Sequence, residues 1–87
     1  MLNLTRRLVD QLDLSDYQDQ LVSVIYSCGD AVIKATGVLN LTGVDFIELV
    51  ERNPESLVRV QILLPDVEEQ RHHRVLIPLR AICSIAA

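Results

Sequence analysis

The chain has 87 residues, of which 49% are hydrophobic and 3% aromatic, and it carries a formal net charge of −4. This length fits one domain with an aliphatic core and excludes two separate cores. A single small core cannot cover so many apolar side chains, so part of them should face a subunit interface. Twelve acidic against eight basic side chains also disfavour nonspecific nucleic-acid binding, which needs a positive patch.

The cysteines and the apolar runs indicate the cellular compartment that we expect for the protein. Cys28 and Cys83 are too few and too far apart in the sequence to indicate a disulfide scaffold. The apolar runs are a handful of residues long, whereas a membrane span needs about 20. We therefore expect a cytoplasmic protein with reduced thiols and no membrane partner, folded as one domain over residues 1–87.

The N-terminal segment has the spacing of an amphipathic helix. Leu4, Leu8 and Leu12 recur every four residues, which places them on one face of a helix predicted over residues 1–13. About three turns of helix are marginal in isolation, so this helix should dock on the rest of the domain. Residues 13–20 are rich in aspartate, which is typical of a polar connector, and a β domain is predicted over residues 20–86.

From residue 21 the pattern becomes that of β-strands. β-branched residues between turn-forming residues predict five antiparallel strands. These strands span residues 21–26, 31–41, 44–51, 57–64 and 75–85, and a charged loop is predicted over residues 65–71. Gly37, in the middle of the second strand, allows a sharp bend and a close backbone approach. Pro78 lacks a backbone donor and therefore marks an edge or a bulge.

Three short motifs connect the chain to a known family. They are Gly37-x-Leu39, Asp45-Phe46-Ile47-x-Leu49 and Leu79-Arg80-Ala81-x-x-x-Ile85. Together with one helix and five strands, they resemble the Sm-like family over roughly the whole chain. The pattern is similar to the bacterial Sm-like modules found in spore-coat and uncharacterised Gram-positive proteins. The resemblance implies a mainly β fold, with a short N-terminal α-helix followed by a five-stranded, strongly bent antiparallel barrel of the SH3-like kind.

Two departures from the Sm pattern bear on function. Ala81 stands where the family has Gly after its Arg, and Glu48 stands near the place of the base-contacting Asn. A carboxylate repels phosphate and cannot supply the paired donor and acceptor of an amide. We therefore expect a non-enzymatic oligomeric assembly module that forms homo-oligomers, with a ring as one form. The alternative is an RNA-binding ring. This alternative is disfavoured, because we expect RNA binding by the chain to be weak or absent.

The candidate binding residues are Asp45, Arg80, Arg71 and Arg74. Asp45 either contacts a ligand or caps the turn at Thr42-Gly43 through backbone amides. The family resemblance implies a phosphate-binding role for Arg80, and the other interpretation is an ion pair with Asp45 or with an acid of a neighbouring subunit. Arg71 and Arg74 flank two histidines in the one basic run of the sequence.

The sequence does not indicate catalytic, metal or cofactor chemistry. His72 and His73 are adjacent, and adjacent side chains of an extended chain point to opposite faces, so they would chelate one ion poorly. No Gly-rich phosphate loop and no Ser-His-Asp pattern is present. We therefore expect neither an enzyme nor a bound cofactor.

Assembly is expected through strand edges. The fourth and the last predicted strands are the expected edges, since edge pairing between copies removes exposed backbone donors and acceptors. The side chains expected at this interface are those of Val58, Val60, Ile62, Leu76, Ile77 and Leu79.

The helix prediction has a direct test. Leu8→Asp should lower the free energy of unfolding, because full burial of a leucine side chain contributes about 1.5–3 kcal/mol. Chemical denaturation of the variant and the parent measures the difference. Equal unfolding midpoints would show that Leu8 does not dock on the domain.

Overall fold

The computed structural model describes residues 14–41, 43 and 45–87. The predicted helix over residues 1–13 and the Thr42 position of the predicted turn lie outside the described residues. Two short 3-10 helices occur at Leu14–Tyr17 and Leu79–Ala81. The seven strands of the described part are β1 (Leu21–Cys28), β2 (Ala31–Asn40), β3 (Phe46–Val50), β4 (Val58–Leu64), β5 (Glu68–His72), β6 (Arg74–Pro78) and β7 (Ile82–Ala86).

All seven strands belong to one antiparallel sheet. Its main path runs β5-β4-β2-β1-β7, and β3 pairs with both β2 and β6. The prediction of a mainly β, antiparallel fold is confirmed. The pairings leave the sheet open, because within the described ranges β5, β6 and β7 each pair with a single strand.

The central feature of the sheet is that β2 pairs with two successive strands along the same edge. Its residues 32–36 pair with β4, and its residues 38–40 pair with β3. Gly37 lies where the partner changes. A Cβ atom there would be 3.1 Å from Val58 Cγ2 and 3.2 Å from the Val50 carbonyl oxygen. The glycine therefore permits the close backbone approach that its position in the sequence predicted.

The core is aliphatic and lies on the inner face of the sheet. In β2, Ala35 and Leu39 are fully buried, and they alternate with half-buried positions. Two tyrosines pack against the core without being fully buried. The buried hydrophobic residues are Leu14, Val22, Val24, Ala35, Leu39, Ile47, Leu49, Val58, Val60, Ile77 and Ile82.

The predicted charged loop over residues 65–71 is wrong for its second half. Residues 68–72 form β5, which pairs antiparallel with β4 and places Arg59 opposite Arg71. Every residue of β5 is exposed, so the strand lacks the apolar alternation by which strands are detected in a sequence. The pairing also shows that β4 is an internal strand, between β2 and β5, and not the expected edge.

The predicted last strand over residues 75–85 is two strands. β6 ends at Pro78, which has no backbone donor, and a 3-10 turn follows before β7. The backbone N–H of Leu79 donates to the Asp45 carbonyl at 2.8 Å, which fixes the start of this turn beside the start of β3. The turn carries the chain from β6, which pairs with β3, to β7, which pairs with β1.

Gly37→Val should destabilise the domain. The new side chain would meet Val58, the Val50 carbonyl and Leu49, and overpacking of this kind costs about 1–3 kcal/mol. Ser27→Val adds a similar side chain to an exposed position of β1 and serves as the matched control. Urea unfolding of the two variants measures the difference, and equal stabilities would contradict the close approach at Gly37.

Candidate functional site

Asp45 and Arg80 are brought to the same end of β3. The Asp45 carbonyl accepts the backbone N–H of Leu79, so the 3-10 turn that carries Arg80 begins beside Asp45. Both side chains are exposed. No ion pair joins them within the described ranges, and Arg80 has no carboxylate partner among the described residues. Arg80 is therefore a cation that remains accessible to an external anion.

Arg71 lies at a different place, on the exposed strand β5. Glu69 is held between two guanidinium groups, with Arg59 Nη2 at 2.8 Å from Oε1 and Arg71 Nη2 at 3.0 Å from Oε2. Hydrogen bonds from Arg59 and then from Arg71 lower the pKa of the Glu69 carboxyl. These bridges are present above the ordinary pKa of a glutamate and are lost as the pH falls through the lowered value. Because the three side chains are exposed, the bridges contribute little to stability.

Arg74 belongs to a polar network at the outer face of β3. Its Nε atom lies 3.2 Å from Glu48 Oε2, and Asn40 Nδ2 donates to Glu48 Oε1 at 2.8 Å. Gln18 Nε2 donates to Asn40 Oδ1 at 2.9 Å, and Gln18 Oε1 accepts the backbone N–H of Leu41 at 2.8 Å. The network connects the segment before β1 with β2, β3 and β6.

Glu48 is the buried member of this network. It is 7% exposed, and within the described ranges it is the only buried charged residue. Both of its carboxylate oxygens have partners, as a buried charge requires. The sequence singled out Glu48 as a departure from the Sm pattern. Its structural role could be inferred from Asn40, which is the polar residue directly opposite Glu48 in the β2–β3 register.

The expected interface residues divide into two groups. Val58 and Ile77 are 0% exposed and Val60 is 6% exposed, so their side chains belong to the core of the chain itself. They offer no side-chain surface to a second copy, which corrects the expectation for these three. Leu76 is 54% exposed, while Ile62 and Leu79 are half-buried. Val58 and Val60 belong to one core cluster with residues of β1, β2, β3, β6 and β7, and this long-range packing leaves no local trace in the sequence.

His72 and His73 contact different side chains, and the two cysteines are not joined in a disulfide. His72 Nε2 lies 3.0 Å from Gln70 Oε1, whereas His73 Nδ1 lies 2.6 Å from Glu51 Oε2. The described residues contain no group of three or more side chains that could hold a metal ion. Cys28 and Cys83 are exposed free thiols. In the described part of the chain, no helix has the length and apolar character that crossing a membrane requires.

A shallow groove of about 300 Å³ opens at the inner face of the sheet, where the core ends. Its floor is aliphatic, and its β5 side is polar, where Gln70 and His72 interact. Burial raises the pKa of the Tyr26 phenol, and the charge of Cys28 raises it further. The lining residues are Tyr26, Ile33, Val60, Ile62, Gln70, His72, Arg74 and Val75.

Three comparisons with known proteins give no family for this chain. No protein-family model, no curated protein and no solved structure matches it. The functional argument therefore depends on the geometry of the strand edges and of the charged side chains.

The Glu48 network should contribute measurably to stability. Glu48→Ala leaves the partly buried Asn40 amide without its acceptor, which costs about 1–3 kcal/mol. Glu48→Gln retains an acceptor oxygen for Asn40 and should cost less. Thermal and urea unfolding of both variants test the ranking, and a Glu48→Ala variant as stable as the parent would contradict the assigned role.

Proposed function

We propose that this chain is a non-enzymatic Sm-like assembly module that forms homo-oligomers through its unpaired strand edges. The observation that carries the proposal is the edge strand β7, Ile82–Ala86, which among the described residues pairs only with β1. It contains neither a charged residue nor proline, the two devices that proteins use to block edge pairing. Its free backbone groups are therefore open to a strand from another copy.

The order of the strands supports the Sm-like interpretation. β3 and β4 both run antiparallel to β2 along the same edge. β5 and β6 are one run interrupted only at His73, and they pair with β4 and β3 respectively. β1, β2, β3 and β4 overlap the first four predicted strands in order, while β5 is a strand that the five-stranded prediction lacks.

The edge strand β5 differs from β7 in its charges. It replaces β4 as the edge at its end of the sheet and carries Glu68, Glu69 and Arg71. Charged side chains oppose edge pairing, whereas β7 presents none, so β7 is the edge through which we expect the copies to pair. Pairing of two β7 edges uses the same surface on both copies, while pairing of β7 with a different edge generates a ring if the rotation closes.

Exposed apolar side chains also support self-association. Leu64 is 55% exposed and Val67 is 86% exposed at the turn between β4 and β5, and Leu76 is 54% exposed on β6. Covering such residues in an assembly removes apolar surface from water. They account for part of the apolar surplus that the composition indicates.

RNA binding is the less supported alternative. Arg71 is paired with Glu69 and Arg74 with Glu48, so of the four candidate residues Arg80 is the cation without a carboxylate partner in the described part. The net charge of −4 per chain also accumulates in an oligomer and repels phosphate at long range. Fluorescence polarisation with U-rich and A-rich oligonucleotides at about 0.15 M salt should detect weak or no binding. Submicromolar binding that Arg80→Ala abolishes would favour the RNA-binding ring.

Light scattering with an edge variant tests the assembly proposal. At micromolar concentration the parent should have the mass of an oligomer, which is a multiple of 9.8 kDa greater than the mass of one chain. Ser84→Lys places a charge on β7 and should shift the mass toward the monomer, because lysine on an edge strand opposes pairing. Ser27→Lys makes the same change of charge at an exposed position of β1 and should leave the oligomer intact. A parent mass of 9.8 kDa across this range would overturn the proposal.

A further inference from the structure

The outer face of β2, β4 and β5, which is turned away from the core, carries a local excess of positive charge. Arg59 on β4 lies directly opposite Arg71 on β5, and Lys34 lies two positions from the β2 residue that faces Arg59. Ala35 and Val60 are buried, so strand alternation places Lys34 and Arg59 on the outer face. We call Lys34, Arg59 and Arg71 the outer basic face.

Among the described residues, one carboxylate lies within this face. Glu69 bridges Arg59 and Arg71 at 2.8 and 3.0 Å and is therefore on the same side of the sheet. The neighbouring Glu68 alternates to the other side, where it accepts a hydrogen bond from Gln70, a residue that lines the inner groove. Three cations thus share a small area with one acid, although the chain as a whole has a net charge of −4.

The geometry indicates which anion the face recognises. Paired strands place residues such as Arg59 and Arg71 about 5 Å apart, and their guanidinium groups already hold the two oxygens of a carboxylate. Lys34 lies in the next cross-strand row of the outer face, where its ammonium group extends the positive surface toward a second carboxylate of the ligand. β2, β4 and β5 contain no Phe, Tyr or Trp, and His72 of β5 lies opposite the buried Val58 on the inner side, so the face lacks the stacking surfaces that favour single-stranded nucleic acid.

We propose that the outer basic face binds an acidic peptide segment of a partner protein. The side-chain carboxylates of the peptide contact Arg59, Arg71 and Lys34, and Glu69 occupies part of the site in the free protein as an internal competitor. This binding uses the outer surface of the sheet and does not depend on self-association through the edge strands. The interaction is electrostatic, so it weakens as salt concentration rises.

The test uses a fluorescein-labelled peptide of consecutive glutamates and fluorescence polarisation at about 0.05 M and 0.15 M salt. The double variant Lys34→Gln and Arg59→Gln should weaken binding by about tenfold or more, since it removes two contacting charges. The matched control is Arg52→Glu, which lowers the net charge by the same amount at an exposed position outside the outer basic face. It should change the affinity by less than about threefold.

Glu69→Gln should have the opposite effect on peptide binding. A gain in affinity cannot result from loss of the fold, so this variant separates the two causes. It removes the internal competitor, so the peptide should bind more tightly than to the parent. Thermal unfolding by circular dichroism checks that all variants retain the parent fold. Absence of peptide binding, or equal weakening by the double variant and by Arg52→Glu, would overturn the proposal. Tighter binding of an oligonucleotide that depends on Lys34 and Arg59 would overturn it in favour of a nucleic-acid ligand.

Discussion

The pairing of β2 with two successive strands on one edge is the constraint on which the rest of the structure depends. β2 joins β4 through its first half and β3 through its second half, and Gly37 lies between the two ladders. Any side chain at Gly37 would crowd Val58 and the backbone of Val50. Because β3 pairs with the second half of β2 and β6 pairs with β3, Ile47 and Ile77 join the buried core cluster.

The same arrangement determines where polar groups and strand edges lie. β3 has neighbours on both sides, and Glu48 on its outer face is buried beside Asn40 and Arg74, which are the partners of its two carboxylate oxygens. The sheet ends at β5, β6 and β7, whose outer edges are unpaired in the described structure. The proposed assembly surface and the outer basic face are therefore separate, the first at the edges and the second on the flat side of the sheet.

Local patterns in the sequence were sufficient for part of the fold. The predicted strands over residues 21–26 and 31–41 overlap β1 and β2, because β-branched residues and the turn around Gly29 are local signals. β5 escaped detection because Glu68–His72 is polar on both faces and is positioned by backbone pairing with β4. The break after Pro78 was also missed, since the apolar residues on its two sides look like one strand although they pair with different partners.

The candidate site was predictable only as a set of residue types. The sequence singled out Arg71, Arg74 and Arg80, but their partners depend on strand register, which joins residues far apart in the chain. Glu48 reaches Arg74 only because β3 and β6 pair in a register that places Val50 opposite Arg74. The burial of Val58 and Ile77 likewise follows from the packing of distant strands, and so it could not be distinguished from an interface by alternation alone.

Native-state amide hydrogen exchange of β2, followed by NMR, tests most directly whether this strand unites the two parts of the sheet. The account predicts that the hydrogen-bonded amides of residues 32–36 and 38–40 exchange with one common free energy, equal to that of global unfolding. Exchange of one half through a separate opening of lower free energy, while the other half stays protected, would contradict it.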